Sequence, residues 1–171
     1  MPPRACRQER LGPNHDLSGF RCGHQTLDYW LKDAALNAER MGTARTRVWV
    51  DPTEAVIAYF SLAPHVVARD DVDKRLGRGS PHAIPSILLA RLALDRARQG
   101  RGEGSLLLVD ALTLAIEGMR HVGGRLVVVD AIDAKAAAFY RKHGFTVCPG
   151  RKDRLVMKAS DAAISLGLPW P

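Results

Sequence analysis

The chain has 171 residues, of which 46% are hydrophobic and 25% are charged. This length and composition are typical of a globular protein with a sizeable core, and they predict a single domain over residues 1–171. No apolar run has the length of a membrane-spanning helix, and the first residues lack a signal-peptide pattern. We therefore expect a cytoplasmic protein with no membrane partner.

The formal net charge of +7 points to an anionic partner. Nucleic acid is one such partner, but an anionic cofactor or an arginine-rich genome would also explain a basic chain. The three cysteines, Cys6, Cys22 and Cys148, are odd in number and far apart. They predict free thiols rather than a disulfide framework, and Cys22-Gly-His24 does not have the spacing of a zinc site.

The first half of the chain predicts strands around one amphipathic helix. The expected elements are a strand over residues 4–11, a helix over 25–40 ended by Gly42, a strand over 44–50, a turn over 51–54, and a returning strand over 55–67 that is broken or bent near Pro64. Residues 72–85 are rich in Gly, Pro and basic side chains, which predicts a loop. Such a loop often carries specificity, although a plain connector fits equally well.

The second half alternates between strands and helices. Residues 86–94 form an apolar run that fits a buried strand, although Leu and Ala alone do not exclude a helix. The expected elements after it are a buried helix over 105–117, a turn at Gly123-Gly124, a strand over 125–130, a helix over 134–143 ended by Gly144, a hairpin of strands 145–148 and 154–159, and a last helical turn or two over 160–166. The pattern contains no internal repeat.

A glycine-rich loop joins the apolar run to the long helix, and this order makes an anion site. The first N–H groups of a helix have no partner inside it, and the helix dipole favours negative charge there. Gly100, Gly102 and Gly104 allow close approach of the backbone to a phosphate, and the arginines Arg96, Arg98 and Arg101 add positive charge. A tight, solvated connection is the simpler alternative for the loop by itself.

The glycine spacing distinguishes between the known types of phosphate-binding loop. A P-loop needs Lys after its last Gly, and Ser105 follows Gly104 here. A dinucleotide fingerprint needs its third Gly three residues after the second, which this loop lacks. The spacing Gln99-x-x-Gly102-x-Gly104 resembles the acetyl-coenzyme A loop of the GNAT acetyltransferases.

Further segments extend this resemblance from about Ser18 to Lys158. The segment from Ala136 to Phe145 resembles the late GNAT motif, in which a helix carrying a Tyr lies against the cofactor. More narrowly, several short segments in the right order resemble the GNAT toxins of type II toxin–antitoxin modules. These segments are 18–23, 27–31, 44–46, 76–78, Pro85, 88–95, 129–131 and 139–140.

The resemblance implies a fold, an activity and partners. The fold is α+β: a mixed, mostly antiparallel sheet with a splayed central strand, flanked by helices. Members of the toxin family transfer acetyl from acetyl-CoA to the α-amino group of aminoacyl-tRNA and so block translation, without a metal. Their partner is an antitoxin with a ribbon–helix–helix DNA-binding part, and they commonly form homodimers. Acetylation of a small amine or of a protein N-terminus is the alternative, and a non-enzymatic protein with a degenerate GNAT fold also stays open.

The same resemblance implies roles for particular residues. Tyr140 is the expected general acid for the departing thiolate, with a core tyrosine as the alternative, and a backbone N–H near Leu94 is the expected oxyanion donor. The cofactor-binding set is Leu92, Leu94, Gln99, Gly100, Arg101, Gly102, Gly104, Ser105, Asp133, Ala136 and Phe139. The candidate tRNA contacts are Lys74, Arg75, Arg78 and Arg91. Two features stay open: Arg91 could pair with Asp95 or face the substrate, and Asp130 or Asp133 stands where many GNAT enzymes have an Asn.

Overall fold

A computed structural model describes residues 1–171, which form seven strands and six helices. The strands are β1 (Arg7–Arg10), β2 (Arg45–Val50), β3 (Val56–Ala68), β4 (Ala83–Leu94), β5 (Leu126–Asp130), β6 (Thr146–Cys148) and β7 (Arg151–Lys158). The helices are α1 (Gln25–Asp33), α2 (Ala35–Met41), α3 (Lys74–Gly77), α4 (Glu103–Val122), α5 (Ala134–Lys142) and α6 (Ala159–Leu166). No helix is long and apolar enough to cross a membrane.

The strands hydrogen-bond in the order β1-β2-β3-β4-β5-β7-β6. The pairs β1–β2, β2–β3, β5–β7 and β6–β7 are antiparallel, and β4–β5 is parallel. The parallel ladder runs only from Ser86–Leu126 to Leu89–Val129, whereas β4 continues to Leu94. This early end of the ladder agrees with the splayed central strand that the sequence predicts, and the mostly antiparallel α+β sheet is confirmed.

The chain divides into two compact units, and β3, β4 and α4 run through both. The first unit holds residues 1–63 and 90–111. Its core cluster includes Phe20, Leu31, Val48, Tyr59 and Ala93, against which side chains of α1 and α2 pack. The predicted amphipathic helix therefore does bury its apolar stripe as expected.

The second unit holds residues 64–89 and 112–171. Its core cluster includes Val67, Ile84, Leu126, Val128 and Val156. All four residues from 126 to 129 are buried, which is the continuous apolar pattern of a strand covered on both faces. The prediction of one domain over the whole chain stays a prediction.

Three sequence predictions need correction. The helix expected over residues 25–40 is interrupted at Ala34, whose φ of −123° is not helical, so that α1 and α2 are separate. The break expected near Pro64 is absent, because β3 runs uninterrupted from Val56 to Ala68, and a bend there stays a prediction. The expected loop over 72–85 contains α3 and the first residues of β4. Asp73 starts α3 because its carboxylate accepts the N–H of Arg75.

The remaining predicted elements exist with shifted ends. The hairpin turn is Pro149-Gly150 rather than residues 149–153, because Gly150 takes a φ of 78° and Arg151 already pairs with Cys148. Gly42 ends α2 in the left-handed region, as expected for a helix C-terminus. The three cysteines are free thiols, as the sequence predicts.

Candidate active site

The loop between β4 and α4 is held in shape by its own residues. The Asp95 carboxylate accepts the N–H groups of Ala97 at 2.9 Å and Arg21 at 3.1 Å, which fixes a short 3-10 turn over Arg96–Arg98. Gly100 and Gly102 follow with φ values of 82° and 77°, and neither has an atom within 4 Å of the place where a Cβ would stand. The glycines are therefore required by the backbone and leave open space beside it.

Gln99 braces this loop from inside. Its side-chain nitrogen donates to the carbonyl of Leu94 and to the carbonyl of Cys22, both at 2.8 Å. Both hydrogen atoms of the amide are thus used within the chain. The predicted role of Gln99 in cofactor binding then rests on its backbone and on the shape it gives the loop.

Arg98 is neutralised by the first residue of α4. Its guanidinium donates to both carboxylate oxygens of Glu103, at 2.9 and 2.8 Å, and this pairing raises the pKa of Arg98. Arg96 and Arg101 are exposed and make no ion pair. Of the three arginines that the sequence places here, these two carry the uncompensated charge.

The N-terminus of α4 completes an anion site. The helix has 20 residues and begins at Glu103, so Gly104 and Ser105 lie in its first turn. Backbone N–H groups of a first turn have no carbonyl partner inside the helix, and the dipole places partial positive charge there. Because Arg98 offsets the Glu103 carboxylate, the loop and the helix end together favour a phosphate.

The end of β4 resolves the question left open for Arg91 and Asp95. Asp95 is occupied by backbone N–H groups and does not pair with Arg91. The Arg91 guanidinium instead lies over the Trp30 ring, with its carbon 4.0 Å from the ring centroid. Leu94 is buried and Leu92 half-buried, and the strand ends where the N–H of Asp95 donates to the carbonyl of Ile57 at 2.8 Å.

In the second unit, α5 presents Tyr140. Its ring is 8% exposed and packs edge-on against Phe139 and Phe145, at centroid distances of 5.3 and 5.5 Å. The hydroxyl makes no hydrogen bond within the chain, and its oxygen is not fully buried. Burial raises the pKa of Tyr140, so the hydroxyl stays protonated at neutral pH and can act as a proton donor.

Two other predicted residues, at the start of α5 and within it, make contacts that stabilise the structure. The Asp133 carboxylate caps the helix by accepting the N–H of Ala136 at 2.7 Å. The contact of Asp133 and Ala136 with cofactor stays a prediction. Phe139 is half-buried and also packs on His143 at 4.5 Å.

Sequence reasoning missed an ion-pair network at the end of β5. Arg154 donates to both carboxylate oxygens of Asp130, at 2.7 and 2.8 Å, and Arg151 lies 3.5 Å from the same carboxylate. Arg154 in particular lowers the pKa of Asp130. His65, whose Nε2 is buried without a partner, has a pKa lowered by burial and by Arg154. The strand register places Asp130 opposite Arg154 and would have revealed this network. The spacing of charges along the sequence does not show that register.

The predicted basic residues in and just after α3 do not all line the same cavity. Lys74 and Arg78 line a cavity of about 350 Å³ together with Arg69, whereas Arg75 does not. Arg69 uses its guanidinium to donate to the carbonyl of Ser80 at 3.1 Å, and Arg125 donates to the carbonyl of Arg78 at 2.9 Å. A carbonyl does not neutralise a guanidinium, so Arg69, Lys74 and Arg78 all keep their charge. Asp70 also lines the cavity and offsets part of it.

Comparisons with known proteins agree with the fold that the sequence predicts. The sequence pattern of the acetyltransferase (GNAT) domain family matches residues 61–147. A "tRNA-acetylating toxin" of Mycobacterium tuberculosis (strain ATCC 25618 / H37Rv) is 34% identical over 158 residues, which cover 92% of this chain and 95% of that protein. No group of His, Cys, Asp and Glu side chains is placed to hold a metal ion.

Solved structures of toxins have the same fold. AtaT complexed with acetyl-methionyl-tRNAfMet superposes with a TM-score of 0.86 at 26% identity, over 94% of this chain and 98% of that one. A mutant AtaT bound to the C-terminus of the antitoxin AtaR and acetyl-CoA gives a TM-score of 0.81 at 25% identity, over 94% and 98%. A mutant of KacT gives 0.89 at 24% identity, over 95% and 99%, which supports the fold.

Proposed function

Because the chain belongs to the GNAT family of acetyltransferases, we propose that it transfers acetyl from acetyl-CoA to the α-amino group of aminoacyl-tRNA. The observation that carries the proposal is the 34% identity to a tRNA-acetylating toxin over 92% of this chain. A match of that extent has to include both the glycine-rich loop and Tyr140. Acetylation blocks the amine that attacks in peptide-bond formation, so the protein acts as the toxin of a toxin–antitoxin pair.

The loop over residues 99–105 is the proposed pyrophosphate site of acetyl-CoA. Its support is the open space at Gly100 and Gly102, the first turn of α4, and the uncompensated charge of Arg101. Gly104 and Ser105 supply backbone N–H groups to the phosphates, in the way helix N-termini bind anions. Leu92 and Leu94 offer the β4 backbone to the pantetheine arm, and the N–H near Leu94 is the proposed oxyanion donor.

The proposed chemistry needs no strong protein base. A free α-amino group has a pKa of roughly 7.7–8.0, and the neighbouring ester lowers it, so a neutral amine is available near pH 7. Its nitrogen attacks the thioester carbonyl, a C–N bond forms, and the C–S bond then breaks. Tyr140 gives its proton to the departing thiolate, while the amine loses one to solvent.

The partners are proposed from the same relatives. AtaT is seen with acetyl-methionyl-tRNAfMet, with the C-terminus of AtaR, and with AtaR and DNA. We infer for this chain a cognate antitoxin with a ribbon–helix–helix DNA-binding part, and a homodimer. The cytoplasm is the proposed compartment because charged tRNA is found there.

The test is acetyl transfer from radiolabelled acetyl-CoA to total charged tRNA. We expect label in the RNA of charged but not of deacylated tRNA. Free amino acids, polyamines and peptides with free N-termini are offered in parallel reactions. Label in those acceptors, with none in charged tRNA, would contradict the proposal and favour the small-amine or N-terminal acetyltransferase.

A further inference from the structure

Arg91 has no anionic partner within the chain. It is half-buried in β4, yet its guanidinium donates no hydrogen bond within the chain and forms no ion pair. Its one specific contact is with the ring of Trp30. A guanidinium has five N–H donors and stays charged in proteins, so all five donors remain for a ligand or water.

Trp30 holds that guanidinium in a fixed place. The indole stacks on Tyr59 at a centroid distance of 6.1 Å and an interplanar angle of 14°. Tyr59 is itself fully buried, donates its hydroxyl to the carbonyl of Leu27 at 2.7 Å, and meets the edge of Phe20 at 5.6 Å. A ring fixed in this way orients the planar cation that lies over it.

The position of Arg91 has an electrostatic cost. Burial lowers the pKa of Arg91, which means that its charged form is partly stripped of water. Ala93 lies on the same face of β4 and belongs to the core against which Trp30 packs, and no carboxylate of the chain forms an ion pair with Arg91. A ligand that brings a negative charge would recover the lost solvation energy.

We propose that Arg91 binds a backbone phosphate at the acceptor end of charged tRNA, and that Trp30 is the positioning residue that aims it. The inference rests on the proposed function. The proposed pyrophosphate site begins at Gln99, which is bonded to Leu94, and Arg91 precedes Leu94 by about 10 Å of extended strand. The RNA backbone is therefore the anion that remains for Arg91.

The test compares variants for transfer of acetyl to charged tRNA across a salt series. Arg91→Gln should raise KM for charged tRNA about tenfold or more, with kcat and acetyl-CoA affinity close to the wild type. Its log–log salt slope should flatten by roughly 0.7–0.9, the value for one lost phosphate contact. Trp30→Leu should shift KM in the same direction, and Trp30→Phe, which keeps a ring, should restore most of the loss.

The control is Arg40→Gln, which removes an exposed arginine of α2 that has no aromatic contact. An equal effect of Arg40→Gln would mean that only net charge matters and would overturn the inference. So would unchanged KM and slope in Arg91→Gln, or a loss of acetyl-CoA affinity, which would assign Arg91 to a phosphate of the cofactor. If Arg91→Gln does not fold, Arg91→Met decides the case: it keeps an apolar side chain over Trp30 but removes the charge, and a wild-type KM and salt slope would overturn the inference. Failure of the wild type to acetylate any charged tRNA would refute the proposed function itself.

Discussion

At the scale of single residues, the sequence predicts which residue types gather but not what each side chain is used for. Gln99, Asp95 and Asp133 all lie where the motifs place them, and all three use their side chains to hold the backbone. A motif records a spacing, and a hydrogen bond to a distant carbonyl such as that of Cys22 leaves no trace in it. The pairing of Arg98 with Glu103 was missed for the same reason.

Tyr140 gives the sharpest prediction at this scale. Phe in its place keeps the packing on Phe139 and Phe145 and removes the hydroxyl, so the fold and acetyl-CoA affinity should be retained. We expect kcat to fall by about 10²–10⁴, the usual contribution of a general acid. Single-turnover acetyl transfer measures this loss, and a variant with most of its turnover would reduce Tyr140 to a packing residue.

The pH profile gives a second readout for the same residue. An acid must be protonated to act, and because burial raises the pKa of Tyr140, the loss of activity at high pH moves upward from the usual tyrosine range. We expect the rate to rise with pH as the substrate amine deprotonates and then to stay level to about pH 10, the ordinary tyrosine pKa. A fall that begins near pH 8 would assign the acid to another group.

Gly102 tests the proposed pyrophosphate loop. Gly102→Asp adds a carboxylate where the phosphates are proposed to bind, in a place with room for its Cβ but with a φ of 77°. We expect acetyl-CoA binding to become undetectable in a calorimetric titration. Gly123→Asp is the matched control, since Gly123 has a φ of 87°, equally open surroundings, and lies in the turn after α4. Unchanged affinity in Gly102→Asp, or equal losses in both variants, would refute the assignment.

At the scale of elements, apolar periodicity predicted nearly every strand and helix, because burial sets the pattern that the sequence displays. The wrong predictions lie where local backbone chemistry determines whether a helix begins or ends. Ala34 interrupts a continuous apolar stripe, and a four-residue helix forms inside a Gly- and Pro-rich segment because Asp73 caps it. Neither event changes the hydrophobic pattern, so composition alone could not show it.

α3 carries a prediction of its own. Lys74 lines the cavity beside Arg78, whereas Arg75, its neighbour in sequence, does not. If this cavity receives an RNA phosphate, Lys74→Glu should weaken acetylation of charged tRNA and flatten its salt slope by about 0.7–0.9, the value for one phosphate. Arg75→Glu makes the same change of charge one residue away and should have a smaller effect. Identical curves for the two variants would show that only overall charge, and not this cavity, affects tRNA.

At the scale of the whole molecule, the order of elements carried most of the information. Short motifs in the right sequence order predicted the α+β fold with its splayed central strand, and the family match and the solved toxins confirm it. The division into two compact units has no such signal, because β3, β4 and α4 run through both without a linker. The charge of +7 indicated a polyanion but not which residues are available to meet it.

The identity of the acetylated group is the central claim, and one measurement tests it directly. Charged tRNA is treated with the protein and acetyl-CoA, the aminoacyl ester is cleaved with mild base, and the released amino acid is identified by mass spectrometry, with a reaction lacking acetyl-CoA as the control. We predict an N-acetyl amino acid from the wild-type reaction and the free amino acid from the control. Free amino acid alone from the wild-type reaction, or acetyl that stays on the RNA after ester cleavage, would contradict the account.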